Sequence, residues 1–172
     1  GVVPGYDGFV VDLETAIRML KARPINERVV RPFLIGRDLV TGDGTPSRYV
    51  INLVNCDLLS ANQYAEPFAH VKENVFASVL EKAEPGASHD SGRSGHIQKW
   101  WEMWRPREAM SRKIRELNRF IACSRVTKRP IFVFCDREIC PDNAVLAFTL
   151  SDDYSFGILQ SHTHWLWFVT KC

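Results

Sequence analysis

Eight basic side chains, Arg105, Arg107, Arg112, Arg115, Arg119, Arg125, Lys128 and Arg129, fall within one short window of the chain. Arginine presents a planar fork that matches the oxygens of a phosphate, and lysine adds a point charge. A set this dense can neutralise several phosphates of a polyanion. The charge is local. Arg93 to Arg129 holds eleven Lys and Arg against three acids (+8), and the remainder holds eleven against seventeen (−6), which together give the net +2. The overall charge points to no particular partner, but its asymmetry points to an anionic one.

The same residues also fit a solvated helix face. On a wheel with Met110 at zero, Ile114 and Leu117 lie within about 40° and form an apolar stripe, with Arg112, Arg115 and Arg119 opposite. Glu108 and Glu116 each lie four residues from Arg112, the spacing of ordinary helix ion pairs. Just upstream, Trp100, Trp101 and Trp104 could stack on bases, as in single-strand binders. Tryptophans of this kind more often anchor a core, with Trp100 and Trp104 sharing a helical face.

Other chemistries find less support. The chain holds no GxSxG, HExxH or Walker loop. Asp136 and Glu138 are close, but no lysine follows at nuclease-like spacing. Cys135, Cys140, His162 and His164 match no standard zinc spacing, and His residues at i, i+2 leave a helix in different directions. No catalytic residue and no metal site is assigned.

The elements that must position the basic residues read as follows. Asp12 caps a helix whose Leu13, Ala16, Ile17 and Leu20 recur at i, i+3, i+4, i+7, closed by Pro24. A shorter helical piece starts at Asn26 and runs into RPFLIGRDL. TGDGTPS is a turn cluster, and RYVINLV (48–54) is a strand. Ser60 with Gln63 matches a capping box, and a helix runs from about Phe68 to Lys82 with Val71, Val75 and Val79 on one face. Residues 84–97 read as a flexible loop by composition. Three strand-like runs follow at 119–124, 130–136 and 144–150, then a last helix from about Tyr154 to Phe168. This order predicts an α+β fold: N-terminal helices, a small mostly antiparallel or mixed sheet in the C-terminal half, and a final helix.

At 172 residues, 45% hydrophobic and 24% charged, the chain suits one globular domain. No apolar run approaches the roughly 18–20 residues of a membrane span. Five cysteines, most of them in apolar runs, suit buried thiols in a reducing compartment such as the cytoplasm. The opening GVVPGYDGFV and closing WLWFVTKC suggest a piece of a longer protein.

The stretches RPFLIGRDL, SRYVINLVNCDL, PFAHVKENV, KWWEMWRPRE, RFIACSRVTKRPIFVF and DDYSFGILQSHTHWLWF occur in an order and spacing that resembles a known family. It is the target-recognition, or specificity, region of MmeI-like type II restriction-modification enzymes and related adenine-specific DNA methyltransferases of phage defence. The resemblance spans nearly the whole chain. It implies a single recognition domain over 1–172, not itself an enzyme, with double-stranded DNA as its partner. A covalently linked methyltransferase domain elsewhere in the parent chain would carry the NPPY-type motif and bind S-adenosylmethionine, and no cofactor is expected in this segment. RPRE and SRVTKRP match Arg-containing stretches of the family, which favours DNA-side roles for Arg105, Arg107, Arg125 and Lys128. Asp142 and Asn143, in the turn before AVLAFTL, sit where a base reader of the family could lie. The family's further base-reading segment, after the final helix, is expected beyond Cys172.

These readings converge on sequence-specific duplex recognition that positions a flipped adenine for the neighbouring domain. The alternative is a protein-interaction module whose basic and Trp-rich surface docks on an acidic neighbour.

Overall fold

The computed structural model describes residues 1–81 and 97–171. In chain order its elements are β1 (Val10–Val11), α1 (Leu13–Ala22), β2 (Val30–Leu34), α2 (Gly36–Thr41), β3 (Arg48–Ile51), α3 (Leu58–Asn62), α4 (Ala65–Val71), α5 (Ala77–Glu81), α6 (Glu108–Arg115), β4 (Arg119–Ser124), β5 (Phe132–Asp136), β6 (Cys140–Pro141), β7 (Val145–Phe148), α7 (Asp153–Leu159) and α8 (His162–Lys171). The α+β class is as expected, although strands occupy the N-terminal half as well. The 84–97 loop lies outside the described residues apart from Ile97, as does Lys82. The chain divides into two compact units, one of Val2–Phe33 with Ser47–Pro106, the other of Leu34–Pro46 with Arg107–Cys172 and Gly1.

In the first unit β3 pairs antiparallel with both β1 and β2, with Val10 opposite Val50 and Val30 opposite Ile51. RPFLIGRDL is not helical throughout. A 3-10 turn over Pro24–Arg28 leads into β2, because Pro24 pre-sets a first helical position and the β-branched Val29 and Val30 favour extension. Asp12 caps α1 as expected, accepting from Thr15 N at 2.7 Å. The expected stripe on α1 is rotated, since Ala16 and Met19 are buried while Leu13 and Ile17 are 53% and 39% exposed. Ser60 is not a cap. Asp57 is, accepting from Ser60 N at 2.7 Å. Pro67 lies in the first turn of α4, where its missing N–H has no intrahelical role. Between α4 and α5 the helix widens into a π turn over Lys72–Phe76, yet Val71, Val75 and Val79 keep one buried face. Buried Asn26 ties this helix to α1, donating from Nδ2 to Met19 O (2.8 Å) and Glu66 Oε2 (3.0 Å).

The second unit is built on the antiparallel sheet β5–β4–β7, with β4 central. Strand alternation sends Phe120 and Ala122 to one face and Ile121 and Cys123 to the other. The first face packs with Cys135 and Val145 against Leu39 of α2 and Ile114 of α6, with Met110 and Leu117 alongside. The second packs against Phe156 and Leu159 of α7. Helices thus cover both faces of this small sheet. The final helix is two: Ser161 breaks it and caps α8, accepting from His164 N at 3.1 Å. On α8 Leu166, Trp167 and Val169 point outward, each about half exposed.

Candidate nucleic-acid interface

Because β4 runs antiparallel to both neighbours, its C-terminal end meets the start of β5 (Cys123 opposite Phe132) and the start of β7 (Ser124 opposite Val145). Two loops therefore emerge at one end of the sheet: Arg125–Ile131, and the turn Asp142–Ala144. The loops are joined directly by Arg125 N donating to Ala144 O at 2.7 Å. The second is a tight turn, with Val145 N donating to Asp142 O (2.9 Å) and Ala144 N to the Asp142 carboxylate (3.2 Å). Asp142 is half-buried and largely used in holding the turn, and Asn143 is its exposed tip. Gly36 packs beneath, where a Cβ would come within 3.1 Å of Ser124 Oγ and 3.2 Å of Ala144 O.

Arg125, Lys128 and Arg129 are exposed in the first loop, and Arg129 lies over Trp165 with 5.6 Å to the ring centroid. Arg107 belongs to the same cluster. The Gly1 amine is held below its ordinary pKa by burial first and then by Arg107, with Arg125 acting in the same sense and Asp142 opposing. Arg107 has φ 51° and ψ 50° at the N-cap of α6, a left-handed conformation uncommon outside glycine, asparagine and aspartate.

Helix α6 divides as its pattern predicts. Ile114 is buried, Met110 and Leu117 are partly so, and Arg112 and Arg115 are exposed. The ion pairs that Glu108 and Glu116 could form with Arg112 are absent among the described residues. No carboxylate among them holds Arg107, Arg115, Arg125, Lys128 or Arg129 either. Arg119 departs from expectation. The helix ends at Arg115, so Arg119 opens β4 at the opposite end of the sheet. There it pairs with Asp153 (2.7 Å), donates to Ser151 O (3.0 Å) and lies 3.6 Å from the Phe134 ring centroid. Arg105 belongs to the first unit, exposed, its backbone paired with that of Val3 (3.0 Å in both directions).

Trp100 and Trp101 are core residues, and Trp104 is only partly buried. Trp100 and Trp101 are 9% and 8% exposed; Trp100 packs on Phe68 and Phe76, and Trp101 Nε1 donates to Cys56 O at 2.9 Å. Trp100 and Trp104 do not share a helical face as expected, because Ile97–Lys99 form a 3-10 turn and the chain from Trp100 to Trp104 is non-helical. The burial of Trp100 and Trp101 takes their rings out of the docking surface considered above. Burial also pushes the Cys135 thiol up to about 12, which keeps it protonated at neutral pH. Among the described residues no three His, Cys, Asp or Glu side chains converge as a metal site. The structure adds one residue that composition did not single out: Val126, 80% exposed between Arg125 and Thr127.

No protein-family model matches the chain, and no curated protein does. Among solved structures it is similar to the type IIL restriction-modification enzyme MmeI, determined in complex with DNA. The TM-score is 0.69 at 17% identity, over 95% of this chain and 20% of that one. The chain thus spans about a fifth of the length of that enzyme's chain and shares the fold of that segment.

Proposed function

We propose that the chain is the sequence-specific, double-stranded DNA recognition domain of a bacterial adenine-specific (N6) DNA methyltransferase or combined restriction-modification enzyme. The observation that carries this is the sheet end where Arg125, Lys128 and Arg129, unpaired with carboxylates among the described residues, share an exposed loop that is bonded to the turn bearing exposed Asn143. The fold shared with a segment of an enzyme solved with DNA supports it. In this reading the basic residues hold phosphates and set register. Arg112 and Arg115 are further phosphate contacts, as is Arg105 within the first unit taken by itself, and Arg119 contributes least because its guanidinium is engaged. Asn143 reads a base edge in the major groove, where an amide can bond adenine N6 and N7, while Asp142 shapes its turn. The methyl transfer and its S-adenosylmethionine belong to a linked methyltransferase domain of the parent protein, which would work in the cytoplasm.

The test is a gel-shift titration with duplex DNA at several salt concentrations. Binding should weaken log-linearly with salt, with a slope of about −0.9 per phosphate contacted. Absence of any duplex binding at low salt would favour the sheet end as a docking surface for an acidic protein domain.

A further inference from the structure

We infer that Val126 reads a base, through apolar contact with the 5-methyl group of a thymine in the major groove. The inference rests on the DNA-recognition reading above and names a residue that reading does not include. Isolated exposed apolar side chains are ordinary on protein surfaces, so the 80% exposure of Val126 is not by itself an argument. Its setting is.

The loop that carries it is held in shape by its own side chains. Ser124 Oγ donates to Val126 O (3.2 Å), while Thr127 Oγ1 donates to Arg129 O (2.6 Å) and accepts from Arg129 N (3.1 Å). Arg125 N is bound to Ala144 O at 2.7 Å. The valine is therefore presented at a fixed place before any ligand arrives, and little ordering cost remains to be met on binding. Arg125, Lys128 and Arg129 flank it, so an approaching polyanion meets the side chain between its phosphate contacts.

The side chain itself narrows the contact. Valine ends one carbon beyond Cβ and is stiff at χ1. The wedges that part stacked base pairs are longer or bulkier. A short, rigid apolar tip suits instead the thymine methyl, which lies at the major-groove edge. Asn143 stands at the same end of the sheet, on the turn bonded to Arg125. An amide able to bond adenine beside a methyl able to meet thymine is a set of groups suited to A·T pairs.

The experiment uses the full 172-residue chain and a duplex that it enriches from a random-sequence library. Each thymine of that duplex is replaced in turn by uracil, which removes only the methyl. One replacement should weaken wild-type binding about three- to fivefold, the effect of roughly one buried methyl group. Val126→Ser should be indifferent to that replacement while keeping the wild-type salt slope and non-specific affinity, and Val126→Asn, which also lacks an apolar tip, should behave likewise. Unchanged melting temperatures confirm that both variants fold. A wild type that selects a site yet tolerates uracil at every position overturns the inference, as do variants that stay uracil-sensitive. Failure to enrich any duplex removes the DNA-recognition reading itself, and this one with it.

Discussion

Arg125 and Lys128 are exposed in one short loop and lack carboxylate partners among the described residues. Replacing both with alanine should therefore weaken binding to all duplexes alike and reduce the magnitude of the salt slope by about 2. A gel-shift series across salt concentrations reads both effects, and a change confined to one sequence would count against phosphate contacts. Thiol chemistry gives an independent check on packing. Cys135 is 3% exposed with its pKa pushed to about 12, whereas Cys56 is only partly buried, its pKa raised by that burial and then by Glu102 and Asp57. A maleimide at neutral pH should label Cys56 well before Cys135, followed by peptide mass analysis, because only the thiolate reacts.

At the scale of elements, α6 is held by Ile114, which is 2% exposed against Leu34, Leu39 and Phe120. Ile114→Ala should cost about 2–5 kcal/mol by denaturant unfolding. Arg112→Ala, on the opposite face, should leave stability unchanged within about 0.5 kcal/mol while weakening DNA binding. The helix starts add a pH dependence. Asp12, Asp57 and Asp152 each accept a hydrogen bond from the backbone N–H three residues on, which lowers their pKa below the ordinary 3.8. A carboxyl whose folded pKa is depressed stabilises the fold above its unfolded value, and the effect disappears as pH falls through the folded one. Thermal melts should thus hold constant from this source at pH 5 and above and decline below about pH 4. Substituting the three caps with asparagine should flatten that decline, since asparagine caps without titrating.

For the whole molecule, no helix among the described residues is long and apolar enough to cross a membrane. The proposed division of labour, recognition here and chemistry in a linked domain, makes its own prediction. The chain alone should transfer no radiolabelled methyl from S-adenosylmethionine to duplex DNA while still retarding that duplex in a gel, and methyl incorporation would overturn the division. Much of the fold is local and was legible from the sequence. The Asp12 cap, the Val71/Val75/Val79 face, the Met110/Ile114/Leu117 stripe and the strands of the C-terminal half follow from periodicity and short-range hydrogen bonds, which act between residues a few positions apart. Sequence also separated tryptophan anchors from arginine surface, because burying a guanidinium without a partner is costly and burying an indole is favourable. Long-range pairing decided the rest. The RPFL part of RPFLIGRDL became strand because β3 offered it a hydrogen-bonded edge, while GRDL opens α2. Arg119 left the cation set because antiparallel pairing carried it to the far end of the sheet, where Ser151 and Asp153 return after β7. The same pairing set Arg125, Val126 and Asn143 at one sheet end, although Val126 and Asn143 are 17 positions apart in the chain. Spacing along a sequence carries no information about which strands will lie side by side. That adjacency, which the candidate site requires, came only with the tertiary structure.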